Sequence, residues 1–170
     1  MSAHHDVIAQ ASGRIGPIIA SFAFGLVAMV LPWSGVALAL RPDFLLLALL
    51  FWALHRPSRV GLGVGFGLGV IADLLDGVVL GQHALAYVVG VYAVQYVRLR
   101  LLQFDPLRQT AQMLPVFLLV QFIVVLVGWL AAGPPAGIGV FLPALSGTLL
   151  WYVVAQGLVY WYGKNALSRR

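Results

Sequence analysis

The sequence predicts an all-α integral membrane protein of six transmembrane helices, with both termini on the cytoplasmic side. Three observations predict it. The 170 residues are 62% hydrophobic and 9% charged, with mean hydropathy +0.98, whereas soluble domains run about 25% charged. Nine of the ten Lys and Arg residues fall in four clusters: Arg14; Arg56 and Arg59; Arg98, Arg100 and Arg108; Lys164, Arg169 and Arg170. The loops expected between these clusters, at 32–36, 77–83 and 132–139, carry no Lys or Arg. Basic residues stay on the cytoplasmic side of a membrane, so the alternation implies an even number of crossings.

Residues 1–14 read as a cytoplasmic tail, 15–163 as the six-helix domain and 164–170 as a second cytoplasmic tail. The first helix is expected over 15–31. Arg14, the apolar run and Ala37-Leu-Ala39 have the outline of a signal peptide, but the run is too long and reads as a retained helix. Pro32-Trp33-Ser34-Gly35 ends it, with Trp33 at interfacial depth.

Residues 36–40 form a short apolar piece, and Arg41-Pro42-Asp43 opens the second helix, reaching His55. Counted from Pro42 this helix covers ~20 Å, about two thirds of a ~30 Å hydrocarbon core. The 36–40 piece is expected to supply the rest as a broken or re-entrant segment shielded by protein.

The third helix is expected over 60–75. Gly61, Gly65 and Gly69 fall on one face, with Gly63 and Gly67 nearly opposite. Small-residue faces admit close helix approach, so this helix is expected at the centre, packed on both sides. Strict alternation is also a β-barrel signature, but both phases here are apolar or Gly. The fourth helix is expected over 84–97, and a basic inner loop over 98–109 contains Arg98, Arg100 and Arg108. The fifth helix is expected over 110–130, the turn at Gly133-Pro-Pro-Ala-Gly137, and the sixth helix over 141–162, ending in a Tyr160-Trp161-Tyr162 belt.

Composition excludes some functions. The net charge of +5 flanks apolar spans and so suits anionic lipid headgroups, not nucleic acid. Without Cys there is no disulfide and no thiolate metal site; no metal or cofactor is expected. Ser146 lacks the G-x-S context of a rhomboid-type protease, and no nucleophile–base pair is visible. Asp73-Leu-Leu-Asp76-Gly77 matches the opening of the CDP-alcohol phosphotransferase motif, but the second Asp pair that would complete its metal site is missing.

Asp73 is the sharpest candidate. An ionisable group within a span costs ~2.5–3.5 kcal/mol or more. Two readings stand: a hydrogen bond to a neighbouring helix end or loop, or a direct partner or ligand contact. Asp76 shares its face, although Asp76-Gly77 also reads as the start of a turn. His83 reads as a capping or water-facing residue. Arg41 breaks the charge pattern on the outer side and is expected to pair with Asp43, to reach one of Asp73 and Asp76, or to snorkel to headgroups. Gln121 and Gln156 are expected to cross-link helices.

An ordered set of pieces resembles the rod shape-determining MreD family. These are Leu31-Pro32-Trp33, Arg41-Pro42-Asp43-Phe44-Leu45-Leu46, Phe51-Trp52, Pro57-Ser-Arg59-Val60-Gly61, Gly69-Val-Ile-Ala-Asp73-Leu-Leu-Asp-Gly77 and Leu80-Gly81-Gln-His-Ala84-Leu85. The family's motif positions map onto Pro42, Asp43, Pro57, Arg59, Asp73, Gly77 and Gly81; Asp76 and the His83 side chain carry less weight. The resemblance implies a non-enzymatic scaffold of the cell-elongation complex in the bacterial inner membrane. It implies binding to MreC, indirect links to MreB, RodA and its penicillin-binding transpeptidase, and a role in lateral peptidoglycan synthesis. It also implies a helical arrangement like the S components of energy-coupling-factor vitamin transporters. Such an S component is the alternative function, with Asp73, Gln82, His83 and Gln121 lining an outward pocket. Under the leading reading Arg41, Asp43 and Asp73 shape the outer site, and Asp73→Leu is expected to break rod shape or MreC binding while the protein still accumulates.

Overall fold

A computed structural model describes residues 15–134 and 137–167, with side chains as far as Gly157. The expected tail at 1–14 with Arg14, the side chains of Tyr160, Trp161, Tyr162 and Lys164, and Arg169 and Arg170 lie outside what is described. Among the described residues the fold is all-helical: α1 (Gly16–Val30), α2 (Gly35–Ala39), α3 (Phe44–His55), α4 (Leu62–Asp76), α5 (Gln82–Leu101), α6 (Pro106–Ala132), a 3-10 turn (Ile138–Phe141) and α7 (Leu142–Leu167).

The central element is α3. Leu45 through Leu54 are all buried, the pattern of a helix that is apolar all round, and α3 packs against α1, α5 and α7. Its start lies two residues later than the sequence suggests. Asp43 is the cap rather than part of the first turn, its Oδ1 accepting the Leu46 N–H at 2.8 Å. The 36–40 piece is a separate helical turn, α2, ending at Leu40.

The glycines set two close approaches. A Cβ at Gly25 of α1 would stand 2.8 Å from the Leu45 Cα of α3. At Gly69 of α4 it would stand 2.6 Å from the Ala84 amide nitrogen of α5. Each glycine in a helix costs ~1 kcal/mol relative to Ala, which packing offsets where a neighbour uses the gap. A Cβ at Gly65 would stand 3.1 Å from Val91 and 3.4 Å from the Tyr87 carbonyl oxygen of α5. Gly61 caps the helix from outside it. A Cβ at Gly63 or Gly67 would meet nothing within 4 Å. The expectation of packing on both sides is therefore corrected: α4 packs mainly on α5, with a lesser contact to α1, and leaves its Gly63/Gly67 face open.

The basic residues gather at one end, where α3 passes to α4 and α5 to α6. The Arg98 Nε–H donates to the Leu54 carbonyl at 2.7 Å, tying the two connections together. The expected 98–109 loop is shorter than read: Arg98 and Arg100 lie in the last turn of α5 and Arg108 in the first turn of α6. Charge suits the first two, since cations are favourable at a helix C-terminus; Arg108, at a helix N-terminus, pairs instead with Asp105 at 3.2 Å. α7 also runs past its expected end at 162. Among the described residues Gln156 makes no tie to another helix; it lies on the surface and donates to Tyr152 one turn back. Gln121 does, donating to the Val140 carbonyl at 2.7 Å. Gln109 adds a tie of its own, accepting from Trp151 of α7 at 3.4 Å.

Three segments are long and apolar enough to cross a membrane: Gly35–His55, Pro106–Ala132 and Ile138–Gly157; Gly16–Val30 is apolar but shorter.

Candidate functional site

Opposite the basic end, the chain gathers Arg41, Asp43, Asp73, Asp76 and His83. Asp73 holds the arrangement. Its side chain is fully buried near the end of α4. Oδ1 accepts the His83 N–H at 2.7 Å and the imidazole Nδ1 at 3.0 Å; Oδ2 accepts Gly81 N–H at 2.8 Å and Ala84 N–H at 3.4 Å. The first amides of α5 lack helical partners; the Asp73 carboxylate satisfies those of Gly81, His83 and Ala84, and Gln82 N–H donates to the Val79 carbonyl at 3.1 Å. Gly69 makes this possible, because the backbones meet one turn below.

The turn between the helices needs its glycines. Gly77 has φ 64° and Gly81 φ 101°, both in the region that disfavours a Cβ. The Gly77 amide closes on the Asp73 carbonyl, so one residue anchors both sides of the turn. Of the two readings of Asp73, the geometry matches the structural one: no face of its carboxylate is left for a partner. It also weighs against Asp73→Leu accumulating normally, since that change orphans several buried N–H groups.

Arg41 resolves among its alternatives. Its Nη2 stands 3.6 Å from Asp76 Oδ1 and its Nη1 donates to the Met29 carbonyl of α1 at 3.2 Å. Asp43 turns inward instead, and its Oδ2 accepts the hydroxyl of buried Tyr87 at 2.5 Å. His83 is buried, not water-facing. It lies edge-on to Tyr87, and its Nε2 faces Asp76 Oδ2 at 3.9 Å. Asp76 and His83, given least weight in the sequence, are thus integral to the cluster.

Tyr87 was missed. Its one signal is its position four residues after His83, on the same face of α5. Pro42, Pro57 and Arg59 make no side-chain contact with the cluster among the described hydrogen bonds and ion pairs. The Arg56, Arg59, Arg98, Arg100 and Arg108 group belongs to the other end. Among the described residues, no group of three or more His, Asp or Glu is disposed to hold a metal ion.

Fold and site together define an all-helical membrane protein in which a cluster of charged side chains ties helix ends together. A family model described as rod shape-determining protein MreD matches residues 14–161. The chain belongs to the MreD family. The rod shape-determining protein MreD of Haemophilus influenzae (strain ATCC 51907 / DSM 11121 / KW20 / Rd) is 36% identical over 77 residues, 45% of this chain and 48% of that protein. The match therefore spans about half the length of that relative. No solved structure matches the chain. The transporter S-component alternative gains no support from these matches.

Proposed function

We propose that this chain is a non-catalytic, multi-pass scaffold of the bacterial inner membrane that binds MreC within the rod complex. Through MreC it would be linked to MreB and to RodA with its penicillin-binding transpeptidase, and so help direct lateral peptidoglycan synthesis. In this reading the basic end lies in the cytoplasm beside anionic lipid, both termini lie on that side, and the six-helix domain spans 15–163. The Arg41–Asp76–His83–Asp73 cluster lies outside and fixes the outer ends of α1, α3, α4 and α5.

The observation that carries the proposal is the open face of α4. Gly63, Phe66, Gly67 and Leu74 recur at helical spacing on one side. Phe66 and Leu74 are 57% and 65% exposed, and the two glycines have no neighbour. In lipid, association is driven by close packing over small residues, and glycines that meet no neighbour among the described residues leave a groove for another helix. The single membrane helix of MreC has the shape to fill it.

The test is co-purification of MreC in mild detergent with the Gly63→Leu/Gly67→Leu double variant. Filling the groove should leave the chain folded, because nothing inside it is touched, and should remove MreC. Retention of MreC at the unaltered level would refute the α4 face as its seat.

A further inference from the structure

α5 is long enough to cross a membrane, yet it is the least apolar of the longer helices and is not among the three segments apolar enough to do so. Its polar side chains divide by face. Those turned into the bundle are matched: His83 bonds to Asp73, Tyr87 to Asp43, Gln95 to the Val60 carbonyl and Arg98 to the Leu54 carbonyl. Those turned outward are not. Tyr92 and Tyr96 are 59% and 81% exposed, and neither hydroxyl bonds to any described residue. Their rings stack on each other, with centroids 6.3 Å apart and planes 22° from parallel. Arg100, one turn further along the same face, is exposed; it stands 6.0 Å over the Phe104 ring and makes no ion pair among the described residues.

Depth separates the two tyrosines. Tyrosine is common where a helix meets the membrane surface, and Tyr96 suits that role beside the basic end. Tyr92 does not. It lies ~12 Å along the axis from Arg100 at 1.5 Å per residue. Helical side chains lean toward the N-terminus, and the N-terminus of α5 is at the end opposite the basic one. The Tyr92 hydroxyl is therefore carried away from the inner headgroups and toward the hydrocarbon, where an unmatched polar group is costly. Leu85, Tyr92, Tyr96 and Leu99 recur at helical spacing, so this face is apolar at both ends of a hydroxyl pair and cationic where it leaves the membrane.

We propose that this face of α5 seats a membrane-spanning helix of another protein. That helix carries a hydrogen-bond acceptor opposite Tyr92, from Asn, Gln, Ser or Thr, and an acidic residue opposite Arg100. The two lie about eight residues apart along it, matching ~12 Å. Charge complementarity selects this occupant. A second copy of the chain would set Arg100 against Arg100, and like charges brought together oppose association. An anionic lipid would match Arg100 but offers its acyl chains, with no acceptor, to Tyr92. The proposal rests on the orientation given above, with the basic end in the cytoplasm, and not on the α4 seat of MreC.

The test places a photoreactive phenylalanine analogue at Leu99, which is 74% exposed, in the full chain in its native membranes, and identifies the adduct and its cross-linked helix by mass spectrometry. The expected adduct is a membrane protein whose helix carries the acceptor and the acid at the stated spacing. Tyr92→Phe breaks no described hydrogen bond and should leave Tm unchanged while lowering adduct yield about threefold or more, the size of one interhelical hydrogen bond in a membrane. Arg100→Asp should remove the adduct, and changing the acid of the other helix to Arg should restore it. Gly63→Leu/Gly67→Leu should leave it intact, which separates this seat from the one on α4; loss of the adduct there would overturn a separate seat. Adducts with lipid alone, with a second copy of this chain or with a helix lacking the acceptor and acid would overturn the proposal. So would a yield unchanged by Tyr92→Phe and Arg100→Asp.

Discussion

The carboxylate of Asp73 accepts two hydrogen bonds from one residue, the backbone N–H of His83 at 2.7 Å and its imidazole Nδ1 at 3.0 Å. A buried charge on α4 thereby caps α5 and orients the imidazole that faces Asp76. Cap, turn and cluster rest on the same two oxygens.

Asp73 substitutions are therefore expected to act on folding first. Asp73→Ala removes the acceptor for Gly81, His83 and Ala84, and an orphaned buried donor costs about 1–3 kcal/mol. Asp73→Asn keeps the shape but turns N–H groups toward N–H groups. Both should lower Tm in detergent, Ala through a total stability loss of roughly 3 kcal/mol or more. An unchanged Tm for Ala would mean that the cap contributes nothing.

The glycines of α4 should separate by face. Gly69→Ala drives a methyl into the backbone of His83 and Ala84 and should cost at least the roughly 1–3 kcal/mol typical of overpacking. Gly63→Ala and Gly67→Ala meet open space and should gain up to ~1 kcal/mol each from helix propensity. Thermal unfolding of the three single variants checks the order.

Tyr87→Phe isolates the inward tie of Asp43. The hydroxyl is the donor to Oδ2, and its loss should cost about 1–2 kcal/mol with the ring packing kept. The change should be seen as a lower Tm; Leu46 still donates to Oδ1, so α3 should keep its start.

Arg41 is the better probe of function in the cluster. Its contact with Asp76 is long, at 3.6 Å, and partly exposed, and such pairs contribute ~0–1 kcal/mol. Arg41→Ala should leave abundance near normal. A loss of rod shape at normal abundance, scored by microscopy and immunoblotting of the same cells, would mark this end as a functional surface.

Much of the fold was legible because charges and prolines are rare enough to punctuate it. Arg41-Pro42-Asp43 marked the start of α3 to within two residues, and Gly65 and Gly69 announced a close helix pair. The neighbours of each helix were not legible. In a soluble protein the apolar face is the buried one; here every face is apolar, so spacing alone could not say that α3 is central or that Gly63 and Gly67 are open. Tyr87 hid for the same reason, since an aromatic on an apolar helix carries no mark of its hydrogen bond. Asp76 looked like a turn residue and His83 like a capping or water-facing one, because turns, caps and buried networks draw on the same side chains.

The most direct test of the scaffold claim is site-specific photo-crosslinking in living cells, with a photoreactive phenylalanine analogue at Phe66 of α4 and, as control, at Leu149 of α7. Both positions are well exposed, at 57% and 73%. The account predicts an MreC adduct from position 66 and none from position 149. An MreC adduct from 149 with none from 66 would contradict it.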